Sequence, residues 1–234
     1  MKRQTRKQLK SDKFAQEVGH TFEFVTEHQS DIIKYGSIGL VAALIAGGIY
    51  FYMRHTATVR ETALAQAIKV DDAVINATPQ PPNMTFVTQE EKDKAWNQAF
   101  TDVSVKYRGS QEGAIAGLFL GGRLAEKGKV DEAAKIFKDV ADSGPKDYAA
   151  LAKISLAQTY AGQGKVDDAK KLMQDVIDHP SSLVSKEQAQ IELAQILERS
   201  DPAAARKILE PLRTARTAVS RAAIAEMGKV PQTN

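Results

Sequence analysis

From Tyr35 to Met53 the chain reads YGSIGLVAALIAGGIYFYM, 19 positions without an ionisable group other than tyrosine. No polar face interrupts the run, so it cannot lie as a half-buried surface helix. As a helix rising about 1.5 Å per residue it reaches about 28 Å, close to the roughly 30 Å hydrocarbon core of a bilayer. Lys34 bounds the run before, Arg54 and His55 after. Tyr35, Tyr50 and Tyr52 stand near its ends, where amphipathic rings favour the membrane interface. The pattern predicts a transmembrane helix over 35–54. Within it Gly39, Ala43 and Gly47 recur every four residues, a small-residue stripe that a second helix backbone can approach closely.

The flanks of that run are patterned differently. Residues 1–34 form a basic tail running into an amphipathic helix, with Ser11 or Asp12 as cap and Phe14, Val18, Phe22 and Val25 on one face. Beyond the span, Ala63, Ala67, Val70 and Val74 keep a helical period from Thr56 to about Ala77, which predicts a stalk continuing the membrane helix. Pro79, Pro81 and Pro82 then force a turn or linker, so that 55–88 reads as stalk plus linker. Thr88 and Glu91 make a T-x-x-E capping box. The helix it opens carries Ala95, Trp96, Phe100, Val103 and Tyr107 and stops at Gly109.

From there the chain repeats itself. GKVDEA at Gly128–Ala133 returns as GKVDDA at Gly164–Ala169, a shift of 36 residues. In the same register Leu120-Gly121-x-x-Leu124 becomes Leu156-Ala157-x-x-Tyr160, and Phe137 and Val140 become Met173 and Val176. Pro145 is echoed by Pro180. A looser third copy runs through Leu193, Ala194 and Leu197, then Ala205, Leu209 and Leu212, with Ser200-Asp201-Pro202 as its turn. Phe100 and Val103 stand 37 residues before Phe137 and Val140, so the helix at 89–107 reads as half a repeat. A large–small pair, a glycine turn, an alanine, a bulky apolar group and a proline make the tetratricopeptide signature. A single helix pair cannot bury such a face alone, so the pairs stack. The predicted fold is all-α: one N-terminal transmembrane helix followed by a tetratricopeptide-like α-solenoid of about three helix pairs over 89–228. Val219, Ala222, Ala223 and Met227 close the stack in this reading, and 229–234 is a loose tail.

Charge sets the orientation. Six basic residues against Asp12 give the first 13 residues a net +5, which leaves the rest of the chain near −2 although the whole carries +3. The repeat region therefore has no basic surplus for nucleic acid. Retention of positive charge on the cytoplasmic side puts the amino end inside and the carboxyl domain outside, which in a Gram-negative cell is the periplasm. The same basic residues are attracted to anionic lipid. Ala63-Leu64-Ala65 resembles a signal-peptidase site, but it lies ten residues beyond the apolar run and the leader before that run is long. An uncleaved anchor is the expectation. The absence of cysteine excludes a disulfide framework and thiol chemistry.

Nothing in the pattern indicates catalysis. His20, His28, His55 and His179 form no ligand spacing, and there is no phosphate loop, G-x-S-x-G or H-E-x-x-H. No cofactor, metal or small-molecule substrate is expected. Binding is expected instead on the face of the first helix of each pair, drawing on Ile115, Leu118, Leu151, Ile154, Gln158, Ile191 and Gln195. That set is apolar and amide-rich, so it should prefer extended apolar segments to acidic tails. The alternative for each of these residues is helix–helix core.

A basic tail, one span, a helical stalk and about three degenerate repeats together resemble the ancillary Sec translocon subunit family, whose repeat domain is shared with the periplasmic cell-division coordinator. The resemblance covers the whole architecture and is closest from Lys106-Tyr107-Arg108-Gly109-Ser110 through Pro180. It implies a single-pass bacterial inner-membrane protein beside the Sec channel. Its periplasmic domain would touch exported chains or periplasmic chaperones. The competing expectation is a structural adaptor in another envelope complex, for cell division, outer-membrane assembly or polysaccharide export.

Overall fold

In the computed structural model, residues 29–76, 78, 84–214 and 218–231 are described. The amphipathic helix expected on Phe14, Val18, Phe22 and Val25 lies outside them. Contacts divide the chain into two units, Met1–Thr58 and Val59–Asn234, and the division falls within a helix of 43 residues, α1 (Gln29–Asp71).

In the first unit α1 carries the apolar run. Every residue from Ile33 to His55 is exposed, Phe51 to 74% and Leu44 to 68%. It belongs to the one helix among the described residues that is long and apolar enough to cross a membrane. Polar groups at the borders turn back on the helix itself. The Ser37 hydroxyl donates to the Lys34 carbonyl at 2.9 Å, and Arg54 donates to the Tyr50 hydroxyl at 3.1 Å. Gly39 and Gly47 of the small-residue stripe have open space beside them.

The second unit is a stack of helices. After the end of α1 come a two-stranded parallel pair, β1 (Val74–Ile75) with β2 (Thr85–Phe86), then α2 (Gln89–Lys106), α3 (Gln111–Glu126), α4 (Val130–Ser143) and α5 (Lys146–Gly162). They are followed by α6 (Val166–Asp178), α7 (Lys186–Leu197), α8 (Pro202–Thr214) and α9 (Ala218–Met227). Burial follows the repeat register. Ala133, Ala169 and Ala205 are sealed, as are Phe137, Met173 and Leu209 four residues on, and Val140, Val176 and Leu212 beyond those. The small residues set how closely the helices approach. A Cβ on Gly121 would lie 2.5 Å from the Phe137 ring, so glycine is what allows α3 and α4 to close there. In the next pair Ala157 holds that place opposite a smaller-headed Met173. The GK turns also match: Gly128 and Gly164 take φ of 75° and 78°, and the following amides reach back to Leu124 and Tyr160 at 2.9 and 2.8 Å.

The capping signals operate as the sequence requires. Thr88 accepts from the Glu91 amide at 3.1 Å while Glu91 accepts from the Thr88 amide at 3.3 Å. Asp201 accepts from the Ala204 amide at 3.0 Å, with Pro202 opening α8.

Three expectations change. The stalk is not free-standing: from Val59 on, α1 belongs to the repeat unit, and its Leu64 and Ala67 are buried with Trp96, Phe100, Ala116 and Leu120. The helix also stops at Asp71 rather than near Ala77, because the β-branched Val74 and Ile75 pair with Thr85 and Phe86 instead. The tail is not loose where it is described. Val230 is buried in the last core cluster, and Arg206 donates to its carbonyl at 2.7 Å. Ala223 closes the stack as expected, whereas Ala222 is exposed.

Candidate functional site

The first helices α3, α5 and α7 bring equivalent positions into line, and the residues expected to bind divide there into two groups. Ile154 and Ile191, 7% and 9% exposed, belong to the core cluster that spans α5 to α9. Their role is packing between pairs. Ile115, Leu118 and Leu151 are half-buried against neighbouring clusters and keep an edge open. Gln158 and Gln195 are exposed, yet their amides are engaged. Gln158 donates to Glu192 of the next first helix at 2.9 Å, and Gln195 donates to Glu226 of α9 at 3.1 Å. Glu226 is almost wholly buried and also accepts from Lys229 at 3.0 Å. These rungs tie the amides to the neighbouring helices.

Phe119 was absent from the sequence-derived set. It is 46% exposed, in register with Ser155 and Glu192, and its ring lies 5.3 Å from that of Phe100. The signal was present: Phe119 follows Ile115 by four residues, one helical turn on the same face. It is the large apolar group on this face, beside the open space at Gly122.

Where α1, α2 and α3 meet, charged side chains pair with one another. Arg123 lies 2.6 Å from Asp93 and 3.8 Å from Asp71, with its guanidinium 4.3 Å from the Trp96 ring centroid. The Trp96 indole donates to Asp71 at 2.6 Å, and Lys127 reaches Asp93 at 2.9 Å. The hydrogen bond from Lys127, then that from Gln89 and the charge of Arg123, hold the Asp93 carboxyl below the ordinary carboxylate range. Asp175 on α6 is lowered in the same way, chiefly by the hydrogen bond from Lys153 with help from His179. Both networks join helices and resemble structural ion pairs, not a catalytic constellation. Among the described residues no group of three His, Asp or Glu is placed to hold a metal ion, and no buried side-chain nitrogen or oxygen lacks a partner.

Stacked helix pairs with these spacings define a repeat-type interaction scaffold. Residues 29–179 match the family model of the tetratricopeptide repeat-like domain, well over half of the chain, and the protein belongs to that family. The match takes in the apolar run of α1 as well as the helices through α6, and stops before the looser third pair. No curated protein and no solved structure matches the chain. Tetratricopeptide-like domains are protein–protein interaction modules, and that is the class in which this scaffold falls.

Proposed function

We propose that this protein is a membrane-anchored interaction module of the bacterial inner membrane, with its amino end cytoplasmic and its repeat domain periplasmic. It sits beside the Sec channel and contacts exported chains or periplasmic chaperones. The observation that carries this reading is the exposed apolar run of α1, in the same helix whose Leu64 and Ala67 are buried with the repeat unit. Such a surface is stable in lipid and not in water. The excess of basic residues before the run supplies the orientation. The binding face of this reading comprises Phe119 with the open edges of Ile115, Leu118 and Leu151, bordered by Gln158 and Gln195. Gly39, Ala43 and Gly47 are the side of the span that meets a neighbouring membrane helix.

A photo-crosslinking amino acid placed at Phe119 or Gln158 of the full-length chain, activated in intact cells, tests the partner. Adducts to channel subunits, exported chains or chaperones support the Sec reading. Adducts confined to one envelope assembly move the function to a structural adaptor. The bonded amides and the burial of Ile154 and Ile191 favour that second reading, because a preset polar face suits a folded partner better than an extended apolar one.

A further inference from the structure

A groove of about 520 Å³ lies between α2, α3 and α4, and its lining shares no residue with the face just described. Leu120, Leu124 and Ile136 line it with Asn97 and Thr101 of α2, and Lys127, Lys129 and Lys135 stand around it against one acidic residue, Glu132. The volume falls within the usual range of ligand pockets.

The next repeat shows what fills such a place. Shifted by 36 residues, Leu124 corresponds to Tyr160, Lys129 to Lys165 and Ile136 to Leu172. There the Tyr160 ring is half-buried against Ala133, Ala134, Phe137 and Leu156, and the Lys165 ammonium lies 5.4 Å from its centroid. The first pair has the equivalent lysine and, in Leu120 and Ile136, the equivalents of Leu156 and Leu172, but Asn97 and Thr101 stand where the second has Ala133 and Phe137, and a leucine stands in place of the ring. The geometry points to a second docking site here, for an aromatic side chain of a protein partner that carries carboxylates on either side. The ring lies on Leu124 in the space that the larger Tyr160 side chain fills one repeat later, beneath Lys129, and the carboxylates meet Lys127 and Lys135. Lys127 and Lys129 now pair with Asp93 and Glu132, at 2.9 and 3.2 Å, so the partner's carboxylates compete with exposed or half-exposed ion pairs rather than buried ones. The site differs in place and in chemistry from the face of Phe119 and Gln158, and it does not depend on which envelope machine the protein serves.

The test uses the full-length chain in non-ionic detergent micelles and fluorescein-labelled Asp-Glu-Tyr-Glu-Asp, read by fluorescence anisotropy. Saturable binding is expected, with Asp-Glu-Ala-Glu-Asp weaker by about tenfold because the ring and its cation–π contact are lost. Lys-Lys-Tyr-Lys-Lys should not bind. Leu124→Tyr, which installs the residue of the second repeat, should raise the melting temperature and weaken binding by about tenfold. The surface double variant Lys129→Ala with Lys135→Ala should weaken it without moving the melting temperature, which covers the case in which Leu124→Tyr fails to fold. The assignment is overturned if the tyrosine peptide does not bind, if the alanine peptide binds equally well, or if the folded variants bind as the unaltered chain does. None of these outcomes bears on the crosslinking result, since only purified protein and synthetic peptide are present.

Discussion

The apolar residues of α1 and those of the repeats are alike in chemistry and opposite in treatment. Leu44 and Phe51 stand exposed among neighbours that are exposed without exception, whereas Phe100, Met173 and Leu209 are sealed from solvent. The difference lies in patterning. In the repeats the large residues of the shared register are set against small ones, Phe137 against Gly121 and Met173 beside Ala157, so each has a place to enter. The run from Tyr35 to Met53 has no such phase and faces outward on all sides. One region specifies its packing partners within the chain; the other leaves its apolar surface to its surroundings.

That contrast can be broken in either direction. Phe137→Ala empties the place that Gly121 makes room for and should cost the repeat unit about 3–5 kcal/mol. Thermal unfolding of the full-length chain in micelles should show the loss, while membrane attachment stays intact. Ile45→Lys should do the reverse: a charge at the middle of the span costs about 2.5–3.5 kcal/mol of insertion. The fraction resisting alkaline extraction should fall, with the melting temperature of the repeats unchanged. A variant that moves both readouts together would dissolve the distinction.

The smallest effect is electrostatic. Asp93 is held below the ordinary carboxylate range in the folded chain, so its contribution to stability is full above the ordinary value of about 3.9. It is lost as pH falls through the lower folded value. Asp93→Asn should therefore lower the melting temperature slightly at neutral pH and flatten its fall below about pH 4. A melting curve of identical pH dependence in the variant would remove Asp93 from the account. The change should leave the extraction behaviour of the span untouched.

Much of this was legible in the residues themselves. The GK turns, the small–large pairs and the Thr88–Glu91 box are local rules, and the fold obeys them. What was not legible depended on distant partners. Leu64 and Ala67 read as stalk because their packing partners, Trp96 and Phe100, lie about thirty residues on across a proline-rich segment. Val74 and Ile75 continue a helical period, and only pairing with Thr85 and Phe86 draws them into strands. Val230 follows a glycine and a lysine, and it is buried in a cluster of distant residues while Arg206 holds its carbonyl. The binding face shows the same limit. Helical phase identifies which residues share a side of α5 and α7, but Ile154 and Ile191 are taken into the core by α6, α8 and α9. Phe119, whose neighbour at the same level is Phe100, remains outside.

The central claim is a single anchor with the repeats on the outer side, and the absence of cysteine makes it directly measurable. Lys10→Cys and Ser182→Cys, each the sole thiol in its chain, would be exposed to a membrane-impermeant maleimide on intact spheroplasts and again after lysis. The account predicts that Ser182→Cys labels at once and that Lys10→Cys labels only after lysis. Labelling of Lys10→Cys on intact spheroplasts, or protection of Ser182→Cys until lysis, would contradict it.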